Sequence, residues 1–219
     1  MSGQPKSDRR TARRQATIDE IVAAAWELSR QNGLGNFSMR DLGAEVGMRA
    51  QSLYGYFASK HEIYDAMFCE GNRALVAEIR GVIDQRVADD PDGRSDGVVE
   101  HVLATGRCFF TFCTREPVRY QLLFQRTIPG FEPSHESYAV AQEAYEVAVE
   151  PLRALGLSQP DVDLHVAVMA GVVAQQIANE PGGDRWAQLL DRALTISIHA
   201  LAPDLTPDHE KPSTMRSSR

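Results

Sequence analysis

Residues 38–60 of the chain read SMRDLGAEVGMRAQSLYGYFASK and contain two short helical patterns on either side of a tight turn. Ser38 followed by Asp41 has the spacing of a capping box, so a helix is predicted to begin near Ser38. Gly47 provides the turn, because glycine adopts positive φ angles without a Cβ clash. A second helix is predicted from about Arg49 to Tyr56. Two helices joined by a short glycine-containing turn form the helix-turn-helix pattern, whose second helix lies in the major groove of DNA.

The end of this stretch carries a more specific signal. Residues 53–60, LYGYFASK, resemble the L-Y-x-(H/Y)-F-x-(S/N)-K signature of the TetR (tetracycline-repressor-like) family of bacterial transcriptional regulators. The resemblance extends from about Thr17 to about Phe68, roughly a quarter of the chain. It implies an all-α fold, in which an N-terminal three-helix helix-turn-helix DNA-binding domain is joined by a long helix to a C-terminal helical effector-binding and dimerisation domain. It also implies a transcriptional regulator, typically a homodimeric repressor that a small-molecule effector releases from a palindromic DNA operator.

The first turn of the second helix supplies the side chains expected to reach base edges. Arg49 can pair with a guanine through two hydrogen bonds, and Gln51 can pair with an adenine in the same way. The resemblance implies further DNA contacts, with Lys60 at a phosphate. The full set of predicted DNA-contact residues is Arg40, Arg49, Ala50, Gln51, Ser52, Tyr54, Tyr56 and Lys60. Two alternatives stay open, since Arg40 can be an ordinary solvated arginine and Tyr54 can pack partly into the core.

Two residues of the second helix depart from the family pattern. Arg49 stands where many members have a serine or threonine that caps the helix, so this cap is expected to be weaker. Gly55 replaces an aromatic or polar side chain that often touches the DNA backbone, and glycine in a helix costs about 0.5–1 kcal/mol relative to alanine. These departures leave open which bases are read.

Charge is distributed unevenly along the 219 residues, whose formal net charge is −7. Residues 1–60 contain nine Lys or Arg and six Asp or Glu, a net charge of +3, which leaves −10 for the remainder. A basic segment suits DNA phosphates and an acidic one does not. The distribution therefore favours a DNA-binding unit followed by a unit with another task.

Several other classes of protein are disfavoured by the sequence. No apolar run approaches the roughly 18 residues of a membrane span, and no signal peptide is visible. The three cysteines, Cys69, Cys108 and Cys113, lack metal-ligand spacing, and their odd number favours a reducing, cytoplasmic location. The histidines also lack ligand spacing, so neither a metal nor a cofactor is expected. The sequence shows no nucleophile paired with a catalytic base, and it shows no phosphate-binding loop. The chain is therefore not predicted to be an enzyme.

Four segments are predicted along the chain: a flexible basic arm (1–14), a helix-turn-helix DNA-binding domain (15–62), a helical ligand-binding and dimerisation domain (63–203) and a disordered tail (204–219). The arm can also lie along phosphates or in the minor groove of DNA. A first helix is predicted over 15–31, where apolar residues recur with helical spacing. A long fourth helix is predicted from a second capping box at 59–62 to about Val87, and a loop is predicted over 89–96.

The last two predicted helices, about 161–179 and 184–202, carry apolar residues over an unusually wide surface. Such helices bury that surface against the same chain or against a second subunit. The resemblance implies a homodimer through these two helices. Ala170, Gly171 and Ala174 would allow close helix approach, and a palindromic operator requires a symmetric dimer.

The resemblance also implies a pocket for a small effector in the C-terminal domain. The residues predicted to line it are Phe109, Phe112, Tyr120, Phe124, Tyr138, Tyr145, Met169 and Gln175. This aromatic-rich set indicates an apolar or aromatic effector, with Gln176, Arg107 or His165 as further polar groups. Two alternatives stay open. These residues can simply fill the core, and the chain can be a DNA-binding co-regulator whose helical body binds a protein partner instead of a small molecule.

Overall fold

The computed structural model describes residues 6–89 and 97–203. Over these residues the chain is all-α and contains no strand, which confirms the predicted fold class. Its helices are α1 (Lys6–Asn32), α2 (Met39–Glu45), α3 (Ala50–Leu53), α4 (Lys60–Asp89), α5 (Gly97–Arg115), α6 (Pro117–Phe124), α7 (His135–Ala154), α8 (Gln159–Asn179) and α9 (Arg185–Leu201).

Three predicted segments lie wholly or partly outside the described residues. They are the first five residues of the arm, most of the loop over 89–96, and the tail over 204–219. The rest of the arm differs from the prediction, because α1 begins at Lys6 and not near residue 15. Polar composition suggested a flexible arm, but arginine and alanine have high helix propensity, and the segment continues the same helix.

Local hydrogen bonds explain where α2 begins and how the turn after it forms. The backbone N–H of Asp41 donates to Ser38 Oγ (3.2 Å), and the backbone N–H of Ser38 donates to Asp41 Oδ2 (2.9 Å). This reciprocal pair is the predicted capping box. Gly47 has a φ of +67°, as the turn requires. The backbone N–H of Met48 then donates to the carbonyl of Gly43 at 2.7 Å, so the chain folds tightly back on α2.

The described chain divides into two compact units. The first contains the chain up to Glu78 together with Arg115–Glu146, and the second contains Ile79–Thr114 together with the residues from Val147 onward. Both α6 and the first part of α7 therefore belong with the helix-turn-helix, beyond the predicted boundary at residue 62. Leu122 of α6 explains this, because it is buried in the core that the first four helices share.

The core of the first unit fixes the helix-turn-helix in place. Five large apolar side chains of this core have no exposed area, and they come from α1, α2, α3 and α4: Ile21, Leu42, Leu53, Ile63 and Met67. Burying a leucine or isoleucine stabilises the fold by about 1.5–3 kcal/mol. Because α3 has only four residues, Leu53 is its one buried anchor.

The loop between α6 and α7 is tied to the start of α4. Asp65 accepts hydrogen bonds from the backbone N–H of Ser134 (2.7 Å), from Ser134 Oγ (2.8 Å) and from Ser137 Oγ (2.9 Å). Phe131 of this loop packs against the rings of Tyr64 and Phe68, at centroid distances of 5.9 and 6.4 Å. The first turns of α4 and the start of α7 are thus held together within the first unit.

In the second unit, α8 and α9 form a helical hairpin that packs against α5. Gly106 of α5 permits a close approach, because a Cβ there would lie 2.5 Å from Leu194 Cδ1 and 2.7 Å from Met169 Cε. The turn between α8 and α9 is fixed by Gln176. Its Nε2 donates to the carbonyls of Glu180 and Gly183, and its Oε1 accepts from the backbone N–H of Trp186.

Candidate nucleic-acid interface

The start of α3 presents a row of exposed polar side chains. Arg49 is the N-cap residue and makes no side-chain capping hydrogen bond, as its departure from the family pattern predicts. Arg49, Gln51 and Ser52 are exposed, and across the described residues their side chains make no hydrogen bond or ion pair. Ala50 between them is half-buried. The exposed groups are therefore available to DNA, at the position where helix-turn-helix proteins contact base edges.

The end of α3 is shorter than predicted. The α-helix ends at Leu53, and Tyr54 to Tyr56 form a turn in which the N–H of Tyr56 donates to the carbonyl of Leu53 (2.9 Å). Gly55 lies within this turn, and its low helix propensity accounts for the early end. Tyr54 is 50% exposed, so half of its side-chain surface is accessible to DNA, and both its predicted base contact and its alternative of partial core packing stay open.

Tyr56 is half-buried and lies under an arginine from α1. Arg14 Nη1 donates to the carbonyl of Gly55 at 3.0 Å, and its guanidinium carbon lies 5.0 Å from the centre of the Tyr56 ring. Sequence reasoning missed this contact. A signal for it exists, since Arg14 precedes Ile18 by four residues and Ile21 by seven, and so continues the apolar stripe of α1.

Arg40 and Lys60 lie in different surroundings. Arg40 is the second residue of α2 and is exposed, so both the DNA-contact prediction and its solvated alternative stay open. Lys60 is partly buried at the start of α4. Its Nζ donates to the carbonyl of Gly35 at 2.7 Å and lies 4.5 Å from the centre of the Phe37 ring. Burial lowers the pKa of Lys60, against the opposing effect of the Asp41 carboxylate.

Lys60 therefore has a structural contact in addition to its predicted phosphate contact. We expect Lys60→Ala to lower the free energy of unfolding by about 1–3 kcal/mol, since a hydrogen bond from a charged group is lost. It should also weaken binding to all DNA sequences and reduce the salt dependence of binding. Urea unfolding without DNA and binding titrations over a range of salt concentrations measure the two effects.

Arg73→Ala is the matched control for this substitution. Arg73 is an exposed cation on the same helix, and it has no ion-pair partner among the residues that the structure describes. An unchanged unfolding midpoint for Lys60→Ala would contradict the structural role. A changed sequence preference with an unchanged salt slope would contradict the phosphate role.

The start of α4 is a further place for an anionic group. The backbone N–H of Glu62 donates to Ser59 Oγ (3.2 Å), and Glu62 Oε2 accepts from the backbone N–H of Ala58 (2.7 Å). This is a variant of the predicted capping box, because Glu62 reaches the residue before the cap. His61 on the first turn is exposed. The partial positive charge at this helix end suits a DNA phosphate.

The eight residues predicted to line an effector pocket are divided between the two units. In the first unit, Tyr120 is buried and Tyr145 half-buried, whereas Phe124 and Tyr138 are exposed by 42% and 54%. The other four lie in the second unit. Of these, Phe112 and Met169 are buried, Phe109 is half-buried and Gln175 is exposed. The pocket and its lining stay a prediction.

The additional polar groups proposed for the effector have partners within the second unit. His165 is buried, its Nδ1 lies 2.7 Å from Ser197 Oγ, and burial lowers its pKa. Arg107 donates to Asp191 (2.7 and 2.9 Å) and to Glu100 (2.7 Å), and these hydrogen bonds raise its pKa. Gln176 holds the turn between α8 and α9. These three side chains therefore support the fold.

A groove of about 920 Å³ runs along α1 and α4 of the first unit. Its wall includes Trp26, whose Nε1 donates to Glu70 Oε2 at 2.8 Å, and Arg119, whose guanidinium lies over the Trp26 ring. None of the eight predicted effector residues lines this groove.

Within residues 6–89 and 97–203, no helix combines the length and the apolar character needed to cross a bilayer. Within the same ranges, His, Cys, Asp and Glu side chains form no group of three or more that could hold a metal ion.

Known proteins resemble this chain in the helix-turn-helix region and also over a longer part of the sequence. Residues 21–67 match the family model of bacterial regulatory proteins, tetR family. The chain is similar to the HTH-type transcriptional repressor DrrR1 of Streptomyces coeruleorubidus, with 29% identity over 158 residues, or 72% of this chain and 51% of the repressor. It is also similar to the HTH-type transcriptional regulator Mb1846 of Mycobacterium bovis, with 23% identity over 160 residues, or 71% of this chain and 65% of the regulator. The chain thus spans between half and two thirds of the length of these curated relatives.

Solved structures share the fold over most of their length. The protein SCO4313 aligns with a TM-score of 0.67 and 18% identity, over 89% of this chain and 99% of that one. FadR of Thermus thermophilus, a transcriptional repressor solved in complex with lauroyl-CoA, aligns with a TM-score of 0.55 and 19% identity, over 89% and 98% of the two chains. At these identities the likeness concerns the fold alone.

Proposed function

We propose that this chain, which belongs to the tetR family of bacterial regulatory proteins, is a sequence-specific DNA-binding transcriptional regulator that acts as a homodimeric repressor. A small-molecule effector would release it from a palindromic operator in the bacterial cytoplasm. One observation carries the proposal: the start of α3 presents Arg49, Gln51 and Ser52 to solvent without partners in the described structure, while Leu53 anchors the helix in the core.

Selection of bound sites from random duplex DNA tests this function. The purified full-length protein is expected to enrich a palindrome whose half-sites lie about 34–36 Å apart, one turn of DNA, or a multiple of that distance. If no sequence is enriched even at low salt, the protein does not bind DNA sequence-specifically and the proposed function is wrong. The enriched site then serves as the probe for effectors, which would be recognised by release of the protein from DNA.

The α3 side chains yield a direct prediction on such a site. Gln51→Ala and Tyr54→Ala are each expected to weaken specific binding by about 1–3 kcal/mol, because each loses a contact to a base. Titration of the selected site and of a scrambled duplex measures the loss of discrimination. Gln31→Ala is the control, since Gln31 lies on α1 and is hydrogen-bonded to Glu27. Equal losses on both duplexes would contradict base contacts by these two residues.

The α8–α9 hairpin supports the dimer. On α8, exposed residues that are apolar or small lie three, four and seven positions apart, which is helical spacing on one face: Leu164, Ala167, Gly171 and Ala178. On α9, Leu189 and Ile196 are exposed, and seven residues separate them along one face. Exposed apolar stripes on adjacent helices are typical of a surface that a second subunit covers.

The tie between α4 and α7 supports regulation by an effector. Any shift of the α7 start would act on α4 through the three hydrogen bonds that Asp65 accepts from Ser134 and Ser137. Lys60, at the first position of α4, is in turn bonded to Gly35 before the helix-turn-helix. An effector that binds one arrangement of these helices more tightly shifts the population toward it, and thereby changes DNA affinity.

The second candidate is a DNA-binding co-regulator whose body binds a protein partner. The exposed Phe124 and Tyr138 favour it, because exposed aromatic side chains are common at protein interfaces. The names of the curated relatives describe transcriptional regulators, and we propose no enzymatic activity for the chain.

A further inference from the structure

The recognition helix α3 is short, and Leu53 at its end is its one residue buried in the core. It has four residues, and a helix of one turn has little stability of its own. Its N-cap, Arg49, makes no side-chain capping bond, and Gly55 contributes no side chain after its last residue. A contact from another helix at either end therefore has a large influence on the orientation of the side chains that face DNA.

Arg14 of α1 makes such a contact at the second end. Its Nη1 donates to the carbonyl of Gly55 at 3.0 Å, and the same guanidinium lies over the Tyr56 ring at 5.0 Å. Carbonyls after the last helical turn lack partners in the helix, and a cation next to them is favourable. The planar guanidinium can donate a hydrogen bond and stack on a ring at the same time, which an ammonium cannot do.

The other arginines at the start of α1 do not share this environment. All three arginines are exposed, but the side chains of Arg10 and Arg13, unlike that of Arg14, have no hydrogen-bond or ion-pair partner among the described residues. Four residues after Arg14 comes Ile18, which is packed against the core of the first unit. Arg14 therefore lies where the row of core residues on α1 reaches the turn over 54–56, and it contacts that turn, whereas Arg10 and Arg13 do not.

We propose that Arg14 is a positioning residue for sequence recognition. By holding the carbonyl of Gly55 and the ring of Tyr56, it sets the orientation of the turn over 54–56 and of Tyr54 within it. Arg10 and Arg13 contribute only positive charge that attracts DNA of any sequence. The proposal rests on the proposed DNA-binding function and adds to it a determinant of specificity that itself reads no base.

The two roles have different signatures in binding measurements. A residue that only neutralises phosphate changes the affinity for all duplexes equally and changes the salt slope. A positioning residue changes the ratio of affinities for the selected site and for a scrambled duplex. Arg14→Lys separates them, because it keeps the charge and removes the planar group.

The experiment compares Arg14→Lys with Arg13→Lys and Arg13→Ala in the full-length protein. For Arg14→Lys we expect the specificity ratio to fall about 10-fold, the size of one lost base contact, with an unchanged salt slope. For Arg13→Ala we expect equal losses on both duplexes and a smaller salt slope, and for Arg13→Lys no change. An unchanged specificity ratio for Arg14→Lys, or an Arg14→Ala variant that behaves like Arg13→Ala, would overturn the proposal.

Amide hydrogen exchange of the DNA-free protein provides the second readout. If Arg14 orders the turn, the amides of residues 50–57 exchange faster in Arg14→Lys than in Arg13→Lys, while amides elsewhere are unchanged. Equal exchange in the two variants overturns the proposal even if DNA binding changes. Faster exchange in a protein that selects no DNA site would show that the contact orders the turn and that the proposed DNA-binding function is wrong.

Discussion

Replacing Gly43 by valine is expected to abolish sequence-specific DNA binding and to destabilise the first unit. A Cβ at this position would lie 2.7 Å from the carbonyl oxygen of Met48 and 3.2 Å from the backbone nitrogen of Ala50. Both are backbone atoms, so no side-chain rotation can relieve the contact. The turn must move away from α2, and the 2.7 Å hydrogen bond from Met48 to Gly43 is lost with it.

Gly43→Val is expected to change both the free energy of unfolding and the discrimination between operator and scrambled DNA, by different amounts. Overpacking of a buried site costs about 1–3 kcal/mol, and backbone displacement puts Gly43→Val at the upper end of that range. Displacement of α3 removes at least two base contacts of about 1–3 kcal/mol each, so discrimination between operator and scrambled DNA should fall on the order of 100-fold. Non-specific binding to phosphates should persist, because it depends on charge and not on the position of α3.

Gly81→Val is the matched control for this substitution. Gly81 is also a helical glycine, but it is exposed, and a Cβ there meets no heavy atom within 4 Å. Chemical unfolding and DNA titration of the two variants separate the steric effect from the change of residue type. A Gly43→Val protein with an unchanged unfolding midpoint and full operator discrimination would contradict the close approach of the turn to α2.

Local signals were sufficient to predict most of the helices. The capping box of Ser38 and Asp41 marks the start of α2, and Gly47 marks the turn, because both depend on neighbours within a few residues. In the same way, Pro160 placed the start of α8, and the turn residues over 181–183 placed the end of α8 and the start of α9, to within two residues. The early end of α3 at Gly55 is also a local effect that the family signature alone did not reveal.

Contacts between distant parts of the chain could not be predicted in this way. Arg14 and Gly55 are 41 residues apart, and Asp65 and Ser134 are 69 residues apart. The sequence shows that Arg14 precedes the core residues Ile18 and Ile21 by four and seven positions, but it does not show which carbonyl the guanidinium reaches. Lys60 illustrates the same limit, because its resemblance to a phosphate-binding lysine gave no indication of its bond to Gly35.

The double substitution Leu164→Asp and Ile196→Asp is expected to convert the proposed dimer into monomers. These two residues are 55% and 59% exposed on α8 and α9, so the fold of a single chain does not depend on burying them. In a two-fold interface each substitution occurs twice, and each buried leucine or isoleucine contributes about 1.5–3 kcal/mol. Even at half of that contribution, the dissociation constant should rise on the order of 100-fold or more, since 1.4 kcal/mol is a factor of ten.

Loss of the dimer should in turn weaken operator binding far more than any single base contact. A second half-site that is bound through a linked subunit adds about 10²–10⁴ in affinity, and a monomer forgoes this gain. Sedimentation equilibrium and titration of a full and a half operator measure the two consequences on the same samples. The affinity for an isolated half operator should be unchanged, because α3 is intact in the variant.

Val98→Asp provides the control for the introduced charge. Val98 is 38% exposed on α5 of the same unit and lies outside the α8–α9 surface, so its variant should stay dimeric and bind the full operator as the unmodified protein does. A doubly substituted protein that remained dimeric would show that another surface joins the subunits. If it became monomeric and still bound the full operator with undiminished affinity, the two half-sites would be recognised independently, and dimerisation would serve a purpose other than operator binding.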